Sequence, residues 1–337
     1  MVERKECNFN EPRLLQCADL ILPYLTPPEL ANISITCKSL FEIATSITLL
    51  RISDASRTFE NLPIPFLNTT LDNHPYSYFL YTPSLTLASN LQRQVWGGTS
   101  VISRPSRAVL ESVSVVDELG RKVSGCECED CGGLGSGLGS ECGCLGLDGL
   151  GELGSECGPG CLCGPECVNR FTQNGVAVRV KIVRDRRKGW CLYADQFIRK
   201  GQFLFEYAGE LLTTKEAQRR HQYYDELRLH GCFSSALLVV REHLPSGKAC
   251  LRLNIDATRI GNVARFVNHS CDGGNLSTKL VRSSGLLFPR LCFYALKDIQ
   301  EDEELTFSYG EIRKKADGLP CFCNSSSCFG ILPSEDT

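Results

Sequence analysis

Nine cysteines crowd into residues 126–167, and no other feature of the chain constrains its folding as much. They run Cys126-x-Cys128-x2-Cys131, then Cys142-x-Cys144, then Cys157-x3-Cys161-x-Cys163-x3-Cys167. Such short steps let neighbouring thiolates turn toward one ion, at about 2.3 Å for zinc. Many of the intervening residues are Gly and Ser, with little to bury, so bound metal rather than a packed core has to fold this stretch. Under tetrahedral coordination three zinc ions need about twelve ligand places, and nine thiolates suffice if three bridge and six are terminal. Two four-thiolate sites with a spare thiol, or an iron-sulfur centre, answer the same count. Zinc already surrounded by four sulfurs has no position left for water, so the cluster is expected to be structural.

Three more cysteines close the chain as Cys321-x-Cys323-x4-Cys328, one ligand short of a site. Cys271, in the run RFVNHSC, is the expected fourth ligand, which would fold the chain end back over the middle of the sequence. Between the ligands of the first cluster, residues 132–156 read GGLGSGLGSECGCLGLDGLGELGSE, a loop without the periodicity of helix or strand.

The total of 20 cysteines would suit a small secreted disulfide scaffold, but the N-terminus MVERKECNFN is charged and carries no apolar signal segment. A reducing intracellular compartment and metal thiolates are expected instead. The formal charge of -3 and the lack of a long Lys/Arg block argue against sequence-specific DNA binding and leave a basic peptide as the easier partner. No stretch approaches the roughly 20 apolar residues of a membrane span.

Periodicity predicts a mostly β chain with few helices, and 337 residues allow a sizeable core. Residues 11–50 read as helical: Thr26, Pro27, Pro28 and Glu29 form a start signal, and Leu30, Ile33, Cys37, Leu40, Phe41 and Ala44 recur on one face. Residues 54–83, rich in Pro, Asn and aromatics, are expected to be irregular or extended. Val176, Val178, Val180 and Ile182 alternate with Ala177, Arg179 and Lys181 as in a half-buried strand. Short apolar runs at 203–207, 251–255, 291–296 and 305–309 continue the β pattern, interrupted by one helix opened by Thr213 and Glu216 and stopped by Gly231.

Several runs carry a resemblance. Asn254-Ile255-Asp256-Ala257, Gly261-Asn262, Arg265 to Cys271 and Glu304-Leu305-Thr306-Phe307-Ser308-Tyr309-Gly310 resemble the core motifs of SET-domain lysine methyltransferases. The nine-cysteine block resembles the pre-SET region, ENLPIPFLN at 60–68 the stretch leading into it, and the last three cysteines the post-SET element. Together, over about residues 54–330, they are similar to the Su(var)-type histone H3 lysine-9 methyltransferases, particularly the shorter plant members. The segment LILPYLTPPELANISITCKSLFEIA separately resembles a degenerate F-box, which implies docking on a ubiquitin-ligase adaptor; a helical cap packed on its own chain accounts for the same pattern.

The resemblance implies a SET-domain β-clip divided into a helical segment 1–53, a pre-SET region 54–175, a catalytic domain 176–312 and a post-SET element 313–337. It implies S-adenosylmethionine as cofactor, about four zinc ions, a histone H3 tail or nucleosome as substrate, and a place in the nucleus on chromatin. Lys188, Gly189, Trp190, Arg265, Asn268, His269 and Tyr309 match its cofactor positions. Tyr309 and Tyr207 match its catalytic channel, and Phe307 the position that sets product number, where Phe leaves room beyond monomethylation. A strand-core aromatic would equally suit Phe307. Two departures stand out: Cys191 replaces the second Gly of Gly-Trp-Gly, and Ser308 replaces the Asp before the catalytic Tyr. They support the alternative of a catalytically weak SET protein acting as a chromatin or ubiquitin-ligase adaptor. The acidic run Glu301 to Glu304 reads as a solvated turn or an attractor for a basic tail.

Overall fold

The computed structural model describes residues 13–70, 72, 74–87, 125–126, 131, 154–158, 161–229, 234–243, 250–284, 288–310 and 318–333. Its N-terminal part comprises α1 (Arg13–Ile21), a 3-10 turn at Leu22–Tyr24, α2 (Pro27–Ser34) and α3 (Lys38–Ser53). The start signal works as expected, because Glu29 Oε2 accepts from Thr26 N at 2.7 Å and from Thr26 Oγ1 at 2.6 Å. Pro27 and Pro28 occupy the first turn, where a missing N–H costs nothing.

The single apolar face predicted over 11–50 needs correcting. The helices bury Ala18, Leu22, Leu30, Leu40, Ala44 and Ile47 against one another, while Cys37 and Phe41 lie exposed. Helix α2 ends before Ile35, so the stripe of one long helix is broken and each short helix buries its own part.

Arg51 ties this unit to the rest of the chain. Its Nη2 donates to the carbonyls of Pro23 at 2.9 Å and Leu25 at 2.7 Å, and its Nη1 donates to the Tyr76 hydroxyl at 3.0 Å. The guanidinium also stands 5.0 Å from the Tyr78 ring centre, a cation–π distance.

The body is built from short strands: β1 (Phe66–Leu67), β2 (Leu80–Tyr81), β3 (Thr86–Leu87), β4 (Gly154–Glu156), β5 (Val180–Asp185), β6 (Gly189–Ala194), β7 (Phe203–Glu206) and β8 (Gly209–Leu212). After α4 (Thr214–Leu229) come β9 (Leu237–His243), β10 (Cys250–Gly261), β11 (Asn268–His269), β12 (Leu276–Ser283), β13 (Arg290–Ala295) and β14 (Thr306–Phe307). They form one sheet in the order β1-β5-β6, a second in the order β2-β10-β8-β3 with β9 on β10, a third in the order β4-β12-β13-β7, and the pair β11-β14.

The predicted alternation of burial holds, since Val176, Val178, Val180 and Ile182 are buried while Ala177 and Arg179 are exposed, but the strand itself begins only at Val180. Helix α4 starts where Thr213 Oγ1 accepts from Glu216 N at 3.2 Å; Gly231, the expected stop, lies outside the described residues. Strands β3, β4, β6, β8, β9, β11 and β12 had no counterpart in the periodicity, and β4 corrects the end of the 132–156 stretch, read as a loop, because it pairs with β12. In β12 the burial pattern is irregular, so its sequence LSTKLVRS carries no clean alternation.

The segment expected to be irregular at 54–83 braces the body through two carboxylates. Asp54 accepts from the backbone N–H groups of Ser56, Thr58 and Ile64 at 2.8–3.1 Å, knotting a turn in which Arg57 and Thr58 take positive φ. Glu60 accepts from the Tyr81 hydroxyl at 2.6 Å and from Val176 N at 2.9 Å, joining β2 to the chain entering β5. Among the described residues no helix is long and apolar enough to cross a membrane.

Candidate active site

The pairing of β11 with β14 assembles the site. The two run parallel, with Asn268 opposite Thr306 and His269 opposite Phe307, so motifs far apart in sequence become neighbours. Beyond β14, Tyr309 N donates to His269 Nδ1 at 3.2 Å, and the Tyr309 hydroxyl donates to the Val267 carbonyl at 2.9 Å. Tyr309 as a residue is about one-third exposed, while its hydroxyl is taken up by the Val267 carbonyl. Burial, reinforced by nearby Cys191 and Glu304, pushes its pKa well above the ordinary phenol value.

Aromatic rings line the approach to this hydroxyl. Phe307 stands 4.9 Å from Phe293, edge to face, and 5.0 Å from Tyr309. Tyr207, on the other side of Phe293, donates its hydroxyl to the Ala236 carbonyl at 2.7 Å. Burial, and then the nearness of Tyr309, raise the Tyr207 pKa as well. Both phenols are therefore protonated donors at neutral pH, in a setting that disfavours any charged amine entering it.

A second group converges from the β5–β6 turn. Asp185 Oδ1 accepts from Arg187 N at 2.7 Å and Lys188 N at 2.8 Å, and Gly189 follows with φ +86°, which suits glycine. This tight turn brings Lys188 Nζ to 2.5 Å from Glu304 Oε2, and Asn268 Nδ2 donates to Glu304 Oε1 at 3.1 Å. Cys191, fully buried beside the same carboxylate, is pushed up to about 12, first by burial and then by Glu304. Trp190 packs edge-on against Phe66 at 5.1 Å, with the Arg184 guanidinium 5.3 Å from its ring centre. The hub of this group, Glu304, escaped the sequence reading because its acidic neighbours made it look like part of a solvated turn. Its place at the head of the run ending in Tyr309 was the available signal.

Arg265 stands apart from the residues it was expected to join. Its Nε donates to the Ala257 carbonyl at 2.8 Å and its Nη2 to the Thr258 carbonyl at 3.0 Å, with the rings of Phe79 and Phe266 within 5 Å. In the structure it fastens β10 to the Phe79 segment. Burial lowers its pKa to about 10, so it stays charged at neutral pH.

The cysteines gather as their spacing predicts. The sulfurs of Cys126, Cys131, Cys157 and Cys163 lie within 4.8 Å of one another, as do those of Cys271, Cys321, Cys323 and Cys328. Four sulfurs about 2.3 Å from one zinc stand about 3.8 Å apart. The observed separations are 3.6 Å for Cys126 to Cys131 and Cys131 to Cys157, and 3.8 Å for Cys126 to Cys157 and Cys271 to Cys321. Thus both donor sets fit zinc. Cys157 also lies 3.9 Å from Cys167, so it touches a sulfur beyond the four-sulfur group. Cys161 accepts from Gly158 N at 3.2 Å at the edge of the same cluster. Cys128, Cys142 and Cys144 lie outside the described residues. In the second set, burial raises the Cys323 thiol, but backbone N–H groups of Cys271 and Ser325 outweigh it and bring it to about 7, favouring the thiolate a metal needs.

Residues 189–310 match the model of the SET domain, a span that holds Gly189, Trp190, Cys191, Tyr207, Arg265, Asn268, His269, Glu304, Phe307 and Tyr309. The chain is 56% identical over 335 residues to the histone-lysine N-methyltransferase SUVR3 of Arabidopsis thaliana, covering 96% of this chain and 93% of the relative. The chain belongs to the SET-domain histone-lysine methyltransferases. This methyltransferase is also 37% identical over 195 residues to mouse SETMAR, covering 54% of its own length and 60% of that relative. Its fold matches the methyltransferase domain of human SETMAR with a TM-score of 0.57 at 27% identity, over 83% of this chain and 97% of that one. It also matches KRYPTONITE, solved in complex with mCHH DNA, an H3(1-15) peptide and SAH, with a TM-score of 0.58 at 25% identity over 83% and 53% of the two chains. The mostly β architecture is therefore that of the SET domain, and the two cysteine groups stand where its pre-SET and post-SET zinc sites fit.

Proposed function

We propose that this enzyme methylates lysine 9 of histone H3 in the nucleus, using S-adenosylmethionine, and adds more than one methyl group. The observation that carries this reading is Tyr309, held at both its backbone and its hydroxyl beside Phe307 and next to the Lys188–Glu304–Asn268 group. A target within the first fifteen residues of H3 is supported by the peptide bound to KRYPTONITE.

The residues present fit the cofactor. Its amino-acid end carries both charges, and Lys188, Glu304 and Asn268 offer an ammonium, a carboxylate and an amide together. Gly189 and Trp190 supply a turn of backbone with no intruding side chain and an aromatic wall, and His269 and Tyr309 border the same space. When bound, the cofactor supplies an electrophilic methyl group on a positive sulfur.

The chain's own residues must deliver a neutral amine. A free lysine has a pKa near 10.4, and both the aromatic surroundings of Tyr207, Phe307 and Tyr309 and a nearby positive charge disfavour its ammonium form. Tyr309 and Tyr207 then aim the lone pair, and holding the amine in line is the larger part of the catalysis. Phe307 brings no hydroxyl to restrain a methylated amine, so a second transfer has room. Cys191 and Ser308 leave this machinery complete.

In this reading residues 1–53 form the helical N-terminal unit, 54–175 and 313–337 carry the zinc-bound elements, and 176–312 perform the transfer. About four zinc ions per chain hold the two cysteine groups.

Full-length zinc-loaded protein incubated with labelled cofactor should methylate an H3 tail peptide, with Tyr309→Phe greatly reduced. Equal labelling of a peptide carrying Arg at position 9 would refute the lysine-9 assignment. Absence of any incorporation would refute the proposal altogether.

A further inference from the structure

We propose that the His269 side chain is the positioning residue that links Tyr309 to the four-sulfur site at the end of the chain, so that metal there helps fix where the tyrosine stands. The ring lies between the two. On one side Nδ1 accepts from Tyr309 N at 3.2 Å, and on the other Nε2 lies 3.3 Å from the sulfur of Cys271.

The direction of both contacts follows from elementary chemistry. A backbone N–H can only donate, so Nδ1 must hold its lone pair, and the single proton of the neutral ring sits on Nε2. That proton points at Cys271, giving an N–H to sulfur hydrogen bond onto a thiolate that shares its site with Cys321, Cys323 and Cys328. His269 is 5% exposed, which leaves water little access to replace either partner.

Tyr309 depends on this link because the chain has already left β14 when it reaches the tyrosine. Pairing with β11 ends at Phe307, and Gly310 follows with φ +115°. The tyrosine is held by its hydroxyl on Val267 and its backbone on His269, and only the second contact leads to the metal site. The inference rests on Tyr309 being catalytic, but the link itself can be observed without turnover.

The decisive measurement is a long-range proton–nitrogen spectrum of the imidazoles in the full-length zinc-loaded protein, assigned with His269→Asn. His269 should show the neutral form protonated on Nε2, and its nitrogen shifts should move when a chelator strips the metal. Protonation on Nδ1 alone, or shifts indifferent to the metal, would overturn the proposal. His269→Asn keeps an acceptor near the Nδ1 place but cannot reach Cys271. It should lower the affinity of one metal equivalent by about tenfold or more and reduce kcat while the peptide KM stays unchanged. Wild-type metal affinity in this variant would also overturn the link. If the variant does not fold, a 15N-histidine sample with the other four histidines replaced one at a time assigns the wild-type ring directly, and the same two spectral outcomes decide the question. An inactive wild-type enzyme with the expected spectrum would defeat the proposed function while leaving the link standing.

Discussion

The Lys188 ammonium lies 2.5 Å from the Glu304 carboxylate, joining the turn before β6 to the segment that leads into β14. Each side chain is about 15% exposed, at 14% for the lysine and 15% for the glutamate, so water screens the pair only partly. Burial alone would lower the Lys188 pKa, yet Glu304 outweighs it and the value rises. With Asn268 on its other oxygen, Glu304 holds two elements of the proposed cofactor site in register.

Glu304→Gln keeps a group that can bond Asn268 but removes the charge facing Lys188. A hydrogen bond to a charged group contributes roughly 1.5–3 kcal/mol, which corresponds to about a tenfold to hundredfold weaker Kd for the cofactor. Calorimetric titration of wild type and variant checks this; equal Kd values would show that Glu304 has no part in binding.

Glu206 predicts a pH dependence of stability. It is enclosed with Glu156 and Arg290, and burial, only partly offset by Arg290, raises it from 4.5 to about 7. Between these values the folded chain holds a proton that the unfolded chain has released. The group's contribution is thus complete below pH 4.5 and is lost as pH rises to 7. Glu206→Gln should stabilise the protein above pH 7 by roughly 3 kcal/mol at most and leave it unchanged near pH 4.5. Thermal melts at the two pH values test this, and a variant less stable at pH 8 would contradict it.

Arg220 anchors α4 to the sheet. Its Nη1 lies 2.7 Å from both Glu210 Oε2 and Asp256 Oδ2, and its Nε lies 3.0 Å from Glu216 Oε1. Asp256 is fully buried and takes a second hydrogen bond from the Tyr224 hydroxyl at 2.7 Å. Arg220→Met leaves that carboxylate without its counter-charge, and breaking such a pair costs about 3–5 kcal/mol. Denaturant unfolding should register the loss; a cost below about 1 kcal/mol, typical of an exposed pair, would show the network to be ornamental.

Phe307→Tyr places a hydroxyl against Tyr309 and the Phe293 wall. A hydroxyl there can hold the amine or a water and take the space a methylated amine needs. Mass spectrometry of the peptide at long reaction times should shift toward monomethyl-lysine. A product distribution identical to wild type would return Phe307 to the role of a core aromatic.

The sequence by itself determined what local spacing can encode. Cysteines at short steps announce metal ligands, Val176 to Ile182 must alternate between core and surface, and Thr26 with Glu29 must open a helix. The runs around Asn268 and Tyr309 likewise carry the family resemblance in their residues alone. Tertiary structure alone decided how those runs meet. Glu304 reaches Asn268 across 36 residues, and His269 reaches Tyr309 across 40, only because β11 and β14 lie side by side. Arg265 turned to the carbonyls of β10 for the same kind of reason, since those acceptors are brought to it by the path of the strand. Periodicity records which face of an element is buried, whereas the partner of a polar side chain depends on which strands the fold places next to each other.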